Sequence, residues 1–377
     1  MIRTFIFSLI IFVPLLLKSE YTWEYSLAET TLQRGIESLY NYKFDDAISI
    51  LDSAIKLDIS HPVPPFVLIS AKWLKAQMQI GYMASYDTIR QEVEKTIPIY
   101  KKLLINKPND PELLLYLGST YGMMARTALA NKEWFDVLYF GYQGLNYIKK
   151  GQDSDKNLLD IYMPVGLMEY FSCLSSPAIQ LGAKIVGISP DCEQGLTHLS
   201  IAANKSRYSW IEASNVLTYA YLHIERDFIK ADYYISILTE KFPGHPFFAL
   251  LKGELLAKSE RWEDLDSLLP KLDEFANFGS ELQKNESKIK LAYIYALKAF
   301  YNKDYSLSIE KCNWIINNYN MEFDWLKGFA YLLRGKNFDL LQNRLLAVND
   351  YKNVLKMDQF YPEVDEAKFY LKTPFSL

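Results

Sequence analysis

Histidine is scarce in this chain. Only four occur in 377 residues, at His61, His198, His223 and His245, and no two lie within one helical turn of each other. H-E-x-x-H and His/Cys clusters with zinc spacing are therefore excluded, and no metal site is expected. Cysteine is nearly as rare, with Cys173, Cys192 and Cys312 and no C-x-x-C pair, which excludes zinc-ribbon and thioredoxin-type motifs. The odd count leaves at least one thiol unpaired. Cys173 and Cys192 could bridge across a helical hairpin, but buried free cysteines are the reading favoured here. G-x-S-x-G, G-x-x-x-x-G-K-[ST] and G-x-G-x-x-G are all absent, so neither the common nucleophile elbow nor a nucleotide-binding loop is supported. Basic runs are limited to pairs such as Lys101-Lys102 and Lys149-Lys150, and the net charge is −4, so nucleic acid is not an expected partner. No stretch alternates with period two for long enough to propose a strand.

Apolar and aromatic residues, by contrast, are plentiful. Half of the residues are apolar, and 28 Tyr, 21 Phe and 7 Trp are present. The first residues carry Arg3, then the apolar run Phe5 to Leu17, then Lys18-Ser19-Glu20. That run is shorter than the roughly 20 apolar residues a bilayer span needs, and it suits the core of a secretory signal. A signal peptide over 1–19 is expected, with an uncleaved N-terminal membrane anchor as the alternative. No later segment is apolar enough to predict a membrane span. The expected location is therefore the periplasm or cell envelope.

One short phrase recurs: a polar turn, an aromatic, and a small or aliphatic residue three places on. The copies read NYKFDDA, NKEWFDV, ERDFIKA, SERWEDL, NKDYSLS and GKNFDLL, with aromatics Phe44, Trp134, Phe228, Trp262, Tyr305 and Phe338. The last four are spaced 34, 43 and 33 residues apart. Twelve residues before the last residue of a phrase stand Gly35, Tyr219, Gly253 and Ala296, and seven beyond it Ala54, Leu238, Leu272 and Ile315. Antiparallel helices joined by a short turn meet where their side chains are smallest, so these positions predict close contacts, with the aromatic plugging the groove beside the turn. The larger Tyr219 and Leu265 predict splayed or offset hairpins.

Gly35, Phe44, Ala47, Leu51 and Ala54 resemble a tetratricopeptide hairpin, and so do Phe228, Ala231, Ile235, Leu238 and Pro243. The resemblance covers most of residues 26–356, and a period near 34 is that of this repeat. It implies an all-α, right-handed superhelical solenoid of about eight antiparallel helical hairpins. The hairpins are expected near 26–57, 64–106, 111–149, 156–186, 208–241, 245–273, 286–318 and 322–356, within one solenoid over 20–377, closed by a capping helix near 362–372. Residues 160–203 fit the repeat poorly and predict a short extra hairpin. Gly187, Asp191, Gly195 and Leu196 there loosely resemble a segment of exported bacterial tetratricopeptide proteins. More distantly they resemble a eukaryotic family linked to lipid droplets and the mitochondrial outer membrane.

A fold of this kind implies binding rather than catalysis. The expected role is a non-catalytic scaffold or adaptor whose partners are other proteins or peptides, with no cofactor. The alternative is a carbohydrate- or peptide-binding subunit using an aromatic concave face. Candidate contact residues are Tyr170, Asp191, Tyr219, Tyr221, Tyr295 and Tyr301. For Asp191, a role with Ser189 and Pro190 as the cap of the helix holding Leu196 and Leu199 competes with ligand contact. The acidic runs Asp45-Asp46 and Glu263-Asp264 are expected at starts of second helices, where negative charge suits the helix dipole.

Overall fold

The structure, a computed structural model, describes residues 26–377. The expected signal segment lies outside these residues. They form eighteen α-helices and one 3-10 turn, and no strand is found among them. Sixteen helices pair into eight antiparallel hairpins. The first three are α1 (Leu27–Tyr40) with α2 (Phe44–Leu57), α3 (Val63–Ile80) with α4 (Tyr82–Asn106), and α5 (Pro111–Ala130) with α6 (Trp134–Ser154). After a 3-10 turn at Leu159–Ile161, α7 (Tyr162–Leu174) pairs with α9 (Cys192–Lys205), and α8 (Pro177–Ile185) lies in their connection. The next four are α10 (Trp210–His223) with α11 (Phe228–Lys241), α12 (Pro246–Lys258) with α13 (Trp262–Phe275), α14 (Glu281–Tyr301) with α15 (Tyr305–Asn318), and α16 (Trp325–Leu340) with α17 (Arg344–Val354). A last helix, α18 (Pro362–Lys372), packs on α17 and α16. The described residues form an all-α solenoid of antiparallel helical hairpins, as expected.

The recurring phrase has a local cause. Phe44, Trp134, Phe228, Trp262 and Tyr305 are each the first residue of a second helix. Two residues before each stands a non-glycine residue with positive φ: Tyr42 at 61°, Lys132 at 62°, Arg226 at 54°, Glu260 at 57° and Lys303 at 62°. In four of these turns the next N–H donates back across the turn, as Lys43 N to Ser38 O and Asp304 N to Ala299 O, both 2.9 Å. This left-handed end satisfies carbonyls that the first helix would otherwise leave open. An L-residue pays for that conformation in steric energy. Lys303 is exposed, so Lys303→Gly should raise the unfolding free energy by roughly 1 kcal/mol, read as a shift in the denaturation midpoint.

The sixth phrase is misplaced. Phe338 lies inside α16, and the left-handed residue is Gln342, at φ 61°. The true turn is Leu341-Gln342-Asn343, with no aromatic at its exit, and α17 begins at Arg344. The fourth hairpin also differs from expectation. It is α7 with α9, so residues 160–203 hold the hairpin itself and α8 is the added piece. Cys173 and Cys192 close that connection as a disulfide, with Cα atoms 5.5 Å apart. This overturns the free-thiol reading for both; Cys312 is free and buried.

Small residues set the helix spacing. A Cβ on Gly35 would lie 2.7 Å from Leu51 Cδ2, and one on Gly335 2.6 Å from Tyr351 Cε1. Ser308 Oγ donates to Ala296 O at 2.9 Å, the pair separated by the predicted twelve residues. In α5 and α6 the close approach moves along the helices to Gly118 and Gly144, where a Cβ on Gly118 would lie 2.6 Å from Gly144 O. Gly166 and Gly195 do the same for α7 and α9. Tyr219 makes contacts with Tyr361 and Trp325 of later helices. The fully buried small residues of the core around α10 and α11 are Ala202, Ala213, Ala220 and Ala231.

Candidate interaction surface

The row of hairpins winds until distant members touch. Tyr40 on α1 hydrogen-bonds to Glu212 on α10, and its ring stacks with those of His245 and Phe248 at the start of α12. Glu29 on α1 accepts from Tyr208 Oη at 2.8 Å and lies 3.2 Å from the Arg207 guanidinium. The Oε2 that accepts from Tyr208 also lies 3.0 Å from His61 Nε2, and Gln33 Nε2 donates to Oε1 at 2.7 Å. Farther along, Tyr82 bonds to Glu286 on α14, while Glu322 binds Tyr86 and the Arg126 guanidinium, the latter at 3.0 Å. A cavity of about 210 Å³ at this seam is lined by Met78, Met83, Met321, Gln283, Glu286 and Glu322. Both of its carboxylates are already engaged by these partners, with Lys290 also on Glu286.

A third junction is buried between α10, α12, α16 and α18. Lys258 Nζ lies 3.2 Å from His223 Nδ1, 3.3 Å from Glu254 and 3.7 Å from Glu363, above the Phe329 ring. Burial, then the nearby Lys258 ammonium, holds His223 well below the ordinary imidazole range. Burial pushes the Glu254 carboxyl up, opposed by Lys258. Perturbed groups of this kind mark catalytic sites when a cleft admits substrate. These groups instead tie helices together, and the other histidines are likewise engaged: His61 and His198 on Glu29 and Glu169, and His245 as the cap of α12. Among the described residues no group of three or more His, Cys, Asp or Glu could hold a metal ion. No helix among them is long and apolar enough to cross a membrane.

Of the six residues singled out from the sequence, Tyr170 and Tyr221 share one core cluster, and the six form no common surface. Tyr170 is fully buried and donates to Glu225 at 2.7 Å. Tyr219 pairs with the Tyr361 hydroxyl, and buried Tyr221 stacks on Tyr234. Tyr295, half-buried, donates to Asp273 at 2.8 Å, and exposed Tyr301 stacks on Trp262 with ring centroids 4.5 Å apart. Asp191 is the cap of α9, its Oδ1 accepting from Gln194 N at 3.0 Å. Asp191→Ala should cost roughly 0.5–2 kcal/mol by removing that cap, measured as a loss of thermal stability. The inner tyrosines thus serve contacts within the chain, and they do not line an open hollow.

Exposed apolar residues occur on several helices, and on α6 they line up along one face. Phe135 is 90% exposed, and Trp134, Leu138, Tyr139 and Tyr142 are each about half exposed or more. Phe135, Leu138, Tyr139 and Tyr142 follow the i, i+3, i+4, i+7 spacing of one helix face. The buried face of the same helix is Gly144, Leu145, Ile148 and Gly151. Trp134 therefore plugs no groove, contrary to the role expected of the phrase aromatics. At the far end of the stripe Lys149 Nζ donates to Gly187 O at 2.7 Å, which brings the end of α8 with its exposed Ile185 beside α6. The sequence signal for this stripe is a helix apolar on two faces, FDVLYFGYQGL, where a half-buried helix needs only one.

Against known proteins, no family model matches this chain, and no curated protein matches it. Among solved structures it is similar to yeast Tom70, at 11% identity over 91% of this chain and 87% of that one, with a TM-score of 0.32. It is also similar to the tetratricopeptide domain of P58(IPK), at 11% identity over 92% of this chain and 98% of that one, with a TM-score of 0.26. These likenesses carry nothing further; what the hairpin geometry above establishes is an all-α solenoid over the described residues.

Proposed function

We propose that the protein is a non-catalytic scaffold that binds other proteins in the cell envelope. The observation that carries this reading is the uncovered apolar stripe of α6, standing out from a solenoid whose inner contacts are taken up by its own side chains. Contiguous exposed apolar surface marks an interaction site more often than isolated apolar residues do. An exported location is supported by the apolar leader-like start and by the Cys173–Cys192 bridge, a bond that persists in oxidising compartments. Cross-linking the full chain in its native host, followed by purification, tests the role. A stoichiometric envelope protein partner is the expected result. Recovery of the chain alone, or a turnover abolished by one carboxylate substitution, would overturn it.

A further inference from the structure

In seven of the eight hairpins the second helix is covered by the helix that follows it: α2 by α3, α4 by α5, α9 by α10, α11 by α12, α13 by α14, α15 by α16 and α17 by α18. The exception is α6. Among the described residues its substantial contacts are α5 and the 3-10 turn Leu159–Ile161. The layer missing from α6 is therefore one helix, and the face left bare has the spacing that helix-on-helix packing uses. Gly141 adds an independent observation. Of the two glycines in the middle of α6, Gly144 is pressed against Gly118, while a Cβ on Gly141 would meet nothing within 4 Å. A glycine flanking an apolar stripe, with open space beside it, lets another helix axis come close.

Charge narrows the occupant. Around the stripe stand exposed Lys132 before α6, Lys149 and Lys150 at its end, Lys184 on α8, and Lys101, whose ammonium is near Tyr139 and Tyr121. Against them stand exposed Asp136 and, in the last turn of α6, exposed Asp153, while Glu133 is paired with Arg90 at 3.0 Å, so the lysines outnumber the free carboxylates. A second copy of this chain would bring lysines against lysines. The chain's own first residues, with Arg3 and Lys18 and no acid before Glu20, have the wrong sign as well.

We infer that the α6 face is a docking site for an amphipathic α-helix of a partner protein, with apolar residues at i, i+3, i+4 and i+7 and acidic residues flanking them. This rests on the scaffold reading and names the chemistry of its partner. The partner helix lies along α6 in the place that the next hairpin takes elsewhere. Its apolar side chains cover Phe135, Leu138, Tyr139 and Tyr142, and its carboxylates meet the lysine rim. Recognition of this kind draws affinity from a few apolar anchors and orientation from charge.

The test uses the full chain and a labelled synthetic helix of about 18 residues, long enough to span the stripe, with leucines at those four spacings and glutamates elsewhere. Fluorescence anisotropy should show saturable binding. The same peptide with lysines for glutamates, or with its leucines scrambled, should bind at least about tenfold more weakly. The double variant Phe135→Ser, Leu138→Ser should lose about tenfold or more while keeping its melting temperature. Gly141→Leu should weaken binding with no change in melting, and Ile229→Ser, exposed on α11, should leave it unchanged. Equal binding of the acidic and basic peptides would overturn the proposal, and so would indifference to the double variant. Stripe-dependent binding to phosphatidylglycerol vesicles without peptide binding would assign the face to lipid instead. A stripe-dependent dimer would assign it to a second copy. Envelope partners retained equally by wild type and double variant would sink this docking face and leave the scaffold standing; absence of partners in both would sink the scaffold.

Discussion

Replacing Asp160 by alanine should lower the unfolding free energy by roughly 3 to 5 kcal/mol. Asp160 sits in the 3-10 turn after α6 and is almost completely buried. Its Oδ1 accepts from Tyr208 N at 2.8 Å and Ser209 N at 2.7 Å, and its Oδ2 from Arg207 N at 3.1 Å. These are the last backbone donors before α10, whose own first turn has no side-chain cap. Alanine leaves three half-buried N–H groups without their acceptor, and each such loss costs about 1–3 kcal/mol, toward the lower end where water can reach. The damage should also spread. Arg207 and Tyr208 carry the contacts to Glu29, so the closure of the first hairpin on the fifth loosens with the turn. Asp160→Asn keeps an acceptor oxygen and should lose clearly less. Urea denaturation followed by circular dichroism measures both, and equal losses for Ala and Asn would contradict the account.

The second large effect is acid lability through His245. Its Nδ1 accepts from Phe248 N at 3.2 Å as the cap of α12, and its ring stacks on Phe248 with centroids 3.7 Å apart. Burial, then the nearby Lys290 ammonium, holds its pKa down to about 3, against an ordinary 6.5. The folded state therefore prefers the neutral ring. Its contribution is fully present above pH 6.5 and is lost as pH falls from there toward 3. At pH 5 the loss is about 2 kcal/mol, at 1.36 kcal/mol per unit. Protonation also removes the lone pair that caps the helix. His223 acts in the same direction.

Buried carboxyls whose pKa is raised act the other way, whereas Glu29 and Glu286, in which the effect of burial is outweighed by hydrogen-bond and cationic partners that hold the pKa down, act with the histidines. Burial, then the charge of Asp110, pushes Glu112 up to about 8, so its folded form holds a proton and is favoured as pH falls through that range. The difference between wild type and His245→Asn isolates the histidine. Asparagine keeps an acceptor for the cap and does not titrate. Between pH 7.5 and 5 the wild type should lose about 2 kcal/mol more than the variant. Parallel stability–pH curves would refute the assignment.

The hairpin turns were legible in the sequence because each is a local device. A left-handed residue, an aromatic opening the next helix and a small residue three places on lie within seven positions, and the close contact twelve residues back is a consequence of two antiparallel helices. The same reasoning failed at Phe338, where an aromatic inside α16 has the same local surroundings as one at a turn. The real turn at Gln342 has no aromatic to mark it. The cysteine bridge was visible only as an option, since pairing depends on where α8 sets the ends of α7 and α9.

The tyrosines show the limit most clearly. Tyr170, Tyr219 and Tyr221 have the composition of a binding surface, yet they are enclosed by residues from other helices, Glu225, Tyr361 and Tyr234 among them. Phe135 and Leu138, which the sequence reading did not single out, stand in solvent. Helices, turns and hairpin partners were settled by neighbours along the chain, whose energies depend on a few adjacent residues. Which faces end up covered was decided by small rotations accumulating from hairpin to hairpin. That sum brings α1 against α10 and α12, and it leaves α6 bare.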